Sequence, residues 1–136
     1  MPYTDDIKVV RGIVILDEEG NSITKKYYTN DFPTVEAQEA FEQQIFKKFK
    51  PANVKDETTI GLLDKYVVIG KAGNDCSIFF YGSDSENEMI LITAMDGFYE
   101  ALKLILKDKL DRNEMLKRMP SLFLLMDELC DAGYFS

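Results

Sequence analysis

The sequence predicts an α+β protein built in α/β/α layers: a five-stranded antiparallel sheet with helices on both faces, in the order ββαβββααα. Three features carry this. Strand-like runs occur as a pair and then a triplet, and the links within each set are too short for parallel crossovers. Ile13-Val14-Ile15-Leu16, Val67-Val68-Ile69 and Ile78-Phe79-Phe80-Tyr81 are continuous apolar runs. A sheet with one wet face alternates, so runs like these need cover on both faces. Two long helical periodicities, at 34–50 and 83–107, are available to supply it.

Ile7 to Leu16 is expected as the first strand. Asp17-Glu18-Glu19-Gly20-Asn21 is turn chemistry, with Gly20 and Asn21 tolerant of positive φ. Ser22 to Tyr28 returns as the second strand, where Lys25 and Lys26 suit an exposed edge. After a loop from Thr29 to Pro33, Thr34 to Lys50 reads as a helix with Val35, Phe41, Ile45, Phe46 and Phe49 on one side. Glu36 and Glu39 lie near its start and Lys47, Lys48 and Lys50 near its end, as the helix dipole favours. Pro51 stops it, and 51–57 is a polar loop. Strands follow at Thr59–Leu63, Tyr66–Lys71 and Cys76–Gly82, joined by Asp64-Lys65 and by Ala72-Gly73-Asn74-Asp75.

Residues 83–107 read as the long helix on which the rest is organised. Ser85 with Glu88 three residues on has the capping-box spacing. Thr93, Asp96, Glu100, Lys103 and Lys107 mark one narrow wet stripe, and the broad remainder is expected to be buried on more than one side. Roughly 22 residues span about 33 Å, enough to cross a small domain. Asp111 and Glu114 repeat the capping-box spacing and open a short helix ending near Met119. Pro120 suits the first position of a last helix running to Cys130, with Gly133 as its cap. No repeat, linker or low-complexity stretch interrupts the chain, so residues 1–136 are expected to form a single domain.

Composition narrows the function. The chain is 46% apolar and 29% charged, with a formal charge of −8 and a pI near 4.6. That excess opposes nucleic acid and unaided adsorption to anionic membranes. Cys76 and Cys130 form no framework, and no signal peptide precedes Tyr3, which fits a reducing, cytoplasmic setting. The best bilayer candidate, 89–106, contains Asp96, Glu100 and Lys103 and does not read as a span.

Catalytic readings fail in turn. With no histidine, the commonest general base and metal ligand are both missing. Cys76 and Cys130 read as buried structural thiols. Gly70, Gly73 and Gly82 make no phosphate loop. The acidic run Asp84 to Glu88 lacks the alternation and glycine turn of a calcium loop, and a helix cap explains it better. Lys47, Lys48, Lys50 and Lys55 read as a solvated helix end. We therefore expect no enzyme, cofactor or metal. What survives is an apolar and aromatic surplus. Tyr27, Tyr28 and Phe32 crowd the end of the first hairpin, and Phe123, Leu124 and Met126 crowd the last helix near Tyr134 and Phe135. Ordinary core is one reading, and a permanent protein interface is the other. Tyr27, Tyr28, Phe32, Tyr99, Leu102, Phe123 and Met126 are the candidate contact residues.

Several of these residues recur in order in one family. Ile13 to Asp17, Gly20, Lys26-Tyr27-Tyr28, Phe41-Glu42, Ile45-Phe46, Val67-Val68, Gly82-Ser83, Glu86-Asn87-Glu88, Leu122-Phe123-Leu124, Asp127-Glu128, Asp131 and Gly133 together resemble the zeta subunits of coatomer, the COPI vesicle coat. Those belong with the longin-like small chains of clathrin adaptors. The resemblance covers almost the whole chain. It implies a non-enzymatic coat subunit bound to the trunk of the coatomer gamma subunit and, through it, to the other coatomer subunits. Arf-family GTPases would recruit the assembly to Golgi membranes for Golgi-to-ER retrograde and intra-Golgi transport, with no nucleic acid and no small-molecule substrate involved. The stretches before Val10 and at 50–55 depart from the family pattern, and the family runs on past Gly133 whereas this sequence stops at Ser136. The nearest rival is a sigma small chain reading dileucine signals. Those typically have Asn-Arg-Gln-Gly in the first turn and Lys-Trp-Tyr in the second strand, against Asp17-Glu18-Glu19-Gly20 and Lys26-Tyr27-Tyr28 here. A longin-like regulator of a small GTPase is a further alternative.

Overall fold

The computed structural model describes residues 9–49, 57–84 and 88–131, with residues 130 and 131 by backbone only. Its elements are β1 (Gly12–Asp17), β2 (Ser22–Tyr27), α1 (Val35–Phe49), β3 (Thr58–Leu63), β4 (Tyr66–Ala72), β5 (Cys76–Ser83), α2 (Glu88–Ile105), α3 (Arg112–Lys117) and α4 (Met119–Asp131). The expected order ββαβββααα is the observed one. The five strands pair antiparallel in the order β2-β1-β5-β4-β3. The middle of the sheet is therefore formed by the three apolar runs.

Alternation along those runs feeds two cores. Ile13, Ile15, Val67, Ile69, Ile78 and Phe80 point to one side, where α2, α3 and α4 add Leu91, Met95, Phe98, Leu102, Met115, Leu122 and Met126. Val14, Leu16, Val68, Phe79 and Tyr81 point to the other, against Phe41, Ile45 and Phe49 of α1. Each run is apolar throughout because each residue meets a helix on one face or the other.

Local chemistry sets the turns. Asp17 Oδ1 accepts the backbone N–H groups of Glu19 and Asn21 at 2.9 and 3.0 Å, and Gly20 takes the positive φ, +88°, that the turn needs. Thr34 caps α1 by accepting Ala37 N–H at 3.1 Å, and Asp111 caps α3 by accepting Glu114 N–H at 2.8 Å. Lys107 and Asp108, at φ +53° and +66°, turn the chain away after α2. Pro120 falls in the first turn of α4, where its missing N–H costs nothing.

Several expectations need adjustment. β1 runs from Gly12, with Arg11 already bonded across to Tyr81 and Tyr28 as the chain enters it, and the expected start at Ile7 lies outside the described residues. Val35 was expected on the buried side of α1 but is 61% exposed, since it precedes the part of the helix that lies over the sheet. The broad apolar face of α2 is covered only in part: Met89, Ile90 and Leu104 remain exposed. Lys25 and Lys26 are not a bare charged edge. Lys25 pairs with Glu42 of α1 at 3.0 Å, and Lys26 pairs with Asp127 of α4 at 2.7 Å. The Ser85 cap, Pro51, Lys50, Lys55, the Cys130 side chain, Gly133, Tyr134 and Phe135 lie outside the described residues.

Candidate partner interface

The candidate contact residues separate into three groups. Tyr99, Leu102 and Met126 are 1%, 0% and 0% exposed and lie in the larger core. They are core residues: α2 and α4 cross the sheet with these side chains facing it, so they present almost no surface to a partner in this conformation. Tyr99 is also used internally, donating its hydroxyl to Ala72 O at 2.9 Å while Lys71 Nζ lies 4.7 Å from its ring.

Tyr27, Tyr28 and Phe32 form the second group, half-buried at the end of the first hairpin. Consecutive strand residues face opposite ways, which sends Tyr27 under α1 and Tyr28 toward α4. The Tyr27 hydroxyl donates to Glu42 Oε2 at 2.8 Å, and its ring lies 6.0 Å from both Phe32 and Tyr81. Phe32 stacks on Phe41 at 4.3 Å. The Tyr28 hydroxyl donates to Met126 O at 2.6 Å. Burial, and then the Glu42 hydrogen bond, push the Tyr27 phenol far above its ordinary pKa, so it stays a neutral donor. These aromatics hold the layers together and have limited surface left for a partner.

Phe123 is the third group. It is 51% exposed on α4 and is the expected residue with the most free surface. Leu124, named with it in the apolar surplus of α4, is exposed as well, and sequence periodicity missed its other companions: Ile60 and Leu62 on β3, Met89, Ile90 and Leu104 on α2 and Leu116 on α3 are all exposed. Ile60 and Leu62 alternate with half-buried Thr59, Gly61 and Leu63 on an edge strand, so their exposure follows from α2 stopping short of that edge.

The hairpin end is anchored by a charge pair that sequence reasoning also missed. Arg11 Nε and Nη2 donate to the two carboxylate oxygens of Asp31 at 2.8 and 2.9 Å, with side-chain exposures of 7% and 14%. Thr29 and Tyr81 hydroxyls donate to the same carboxylate. Burial alone would raise the Asp31 pKa, but the hydrogen bonds from Arg11 and Thr29 outweigh it and hold the carboxyl below its ordinary value.

A cavity of about 410 Å³ between the end of α1 and the β4–β5 turn is lined by Phe46, Phe49, Phe79 and Cys76 among others. Burial pushes the Cys76 thiol up to about 12, and its S–H donates to Leu110 O at 3.3 Å, so it is an inert proton donor there. Among the described residues no cluster of Cys, Asp or Glu could hold a metal ion, and no helix is long and apolar enough to cross a membrane.

A model for the clathrin adaptor complex small chain matches residues 9–136. The chain belongs to the clathrin adaptor small-chain family. Within it, the sequence falls with the coatomer zeta subunits. It is 36% identical over 129 residues to coatomer subunit zeta-2 of Arabidopsis thaliana, spanning 95% of this chain and 72% of that protein. It is 33% identical over 124 residues to coatomer subunit zeta-1 of Homo sapiens, spanning 91% and 68%. A homology model of the full-length AP-3 complex in a stretched open conformation contains a chain of the same fold. There the TM-score is 0.72 over 91% of this chain and 82% of that one, at 13% identity, a likeness of fold alone. For a member of this small-chain family, a sheet covered on both faces with apolar groups left on its outer helices is the feature that bears on function.

Proposed function

We propose that this chain is a structural, non-enzymatic subunit of the COPI vesicle coat, the zeta chain of coatomer, folded as one longin-like domain. The similarity to coatomer zeta subunits over nine-tenths or more of the chain carries this reading. The exposed apolar side chains on α2, α3, α4 and β3 support a role in permanent assembly, because large apolar groups left on a surface favour association. In this reading the chain binds the trunk of the coatomer gamma subunit as a heterodimer and joins the other coatomer subunits through it. Arf-family GTPases bring the assembly from the cytoplasm to Golgi membranes and COPI vesicles, where it serves Golgi-to-ER retrograde and intra-Golgi transport. Affinity purification of the tagged chain tests this. Recovery of gamma and the remaining coatomer subunits in equal amounts is expected. Recovery of clathrin-adaptor large chains in their place would reassign it as a sigma chain, and recovery of a small GTPase alone would make it a regulator.

A further inference from the structure

We propose that the open edge of β3 takes up an extended segment of another protein, which joins the sheet as a sixth strand and carries an acidic residue between two apolar ones. The backbone supplies the first reason. Asp84 N–H donates to Lys65 O at 3.1 Å, so Lys65 and, by alternation, Val67 and Ile69 direct their backbone groups to β5. Tyr66, Val68 and Gly70 direct theirs to β3, where they meet Leu63, Gly61 and Thr59. Thr58, Ile60 and Leu62 therefore turn their N–H and C=O groups away from the sheet, and among the described residues no strand lies beyond them. Lys48 of α1 donates to one of these carbonyls, that of Leu62. Such a row of outward donors and acceptors is met by an extended backbone and not by a helix, whose own groups are already bonded.

β3 also lacks the protection of its counterpart. At the other edge β2 carries Lys25 and Lys26, whose charge opposes pairing with a further strand. Thr58 to Leu63 contains no charged residue and no Pro. Ile60 and Leu62 lie opposite Ile69 and Val67, so they stand on the α2 side of the sheet, 50% and 54% exposed. They are about 7 Å apart along the strand, a spacing that seats apolar side chains two residues apart on the added strand. The residue between those two faces the α1 side, opposite Gly61. A Cβ at Gly61 would stand 3.5 Å from Lys48 Cε, so this residue lies beside the Lys48 chain, where a carboxylate pairs with the ammonium. A second copy is the poorer occupant, since each carries a net charge of −8. The edge offers this site whether or not the chain serves a coat.

The test titrates the isotope-labelled full chain with the peptide acetyl-Ser-Thr-Val-Glu-Val-Thr-Ser-amide and follows amide exchange by NMR. Exchange at Thr58, Ile60 and Leu62 should slow roughly tenfold or more, while Thr59, Gly61 and Leu63 are slow throughout. Lys in place of the peptide's Glu should weaken binding roughly threefold. Pro in place of either Val removes a backbone donor and should abolish it. Ile60→Lys/Leu62→Lys should also abolish it, with circular dichroism and Tm as in the unsubstituted protein. In cells, a photo-reactive residue at position 62 of the tagged chain, with position 116 on α3 as control, should cross-link an extended apolar–acidic–apolar segment, identified by mass spectrometry. No slowing at millimolar peptide overturns the proposal, as does equal slowing by the Pro peptides or cross-linking from position 62 to a helical segment. Protection of the same three amides that grows with protein concentration in the absence of peptide would give the edge to a second copy and overturn it too.

Discussion

Arg11 holds Asp31 in a two-pronged grip, Nε and Nη2 each on one carboxylate oxygen, across the mouth of the first hairpin. Because the Asp31 pKa is held below its ordinary value, folding favours the ionised form. That contribution is complete at neutral pH. It is lost as pH falls from the ordinary carboxylate range through the depressed value. Asp31→Asn should therefore flatten the acid side of the Tm–pH curve. Curves for the two proteins that stay parallel below pH 5 would refute the assignment. Arg11→Met leaves the carboxylate half-buried without its cation and should cost about 3 kcal/mol at pH 7 by urea denaturation.

The Tyr28 hydroxyl ties the hairpin end to the backbone of α4. Removing it with Tyr28→Phe keeps the ring and loses one hydrogen bond, worth about 1 kcal/mol, or roughly 4 °C in Tm for a chain of this size. A Tm equal to that of the unsubstituted protein would show that water replaces the phenol at no cost.

Phe123 and Met126 lie one helical turn apart on α4 and should respond oppositely. Met126→Ala opens a cavity in the core and should cost about 3 kcal/mol. Phe123→Ala should stay within about 0.5 kcal/mol while lowering self-association of the isolated chain, read by sedimentation at high concentration. Equal destabilisation by the two substitutions would contradict the placement of α4.

Cys76 should resist alkylation in the native protein at pH 8 and react once urea unfolds it, because a thiol pushed up to about 12 has almost no thiolate at that pH. Peptide mapping distinguishes its label from one on Cys130. Rapid native modification at position 76 would mean that the β4–β5 turn opens readily.

Much of the fold was legible because its signals are local. Uninterrupted apolar runs revealed two-sided burial, and short links between strands revealed antiparallel pairing. Asp111 with Glu114 marked a cap that the structure contains. The contact surface was less legible. Periodicity identifies which residues are apolar, but not how far a neighbouring element extends. Tyr99 and Leu102 look the same in sequence as Leu104, yet the first two face the sheet and the third faces outward. Ile60 and Leu62 alternate like any half-buried strand, and only the end of helical cover at the sheet edge exposes them. The Arg11–Asp31 pair spans twenty residues of sequence and gives no local pattern.

Lys25 and Tyr27 both engage Glu42 on one side of β2, while Lys26 and Tyr28 engage α4 on the other. Edge strands are prone to slide against their single neighbour, and a slide of one position turns every side chain to the opposite layer. Here such a slip would strand both lysines and both phenols away from their acceptors in a single move. The four tips thus act as a combination lock on the alignment of an edge strand whose own side chains are mostly polar.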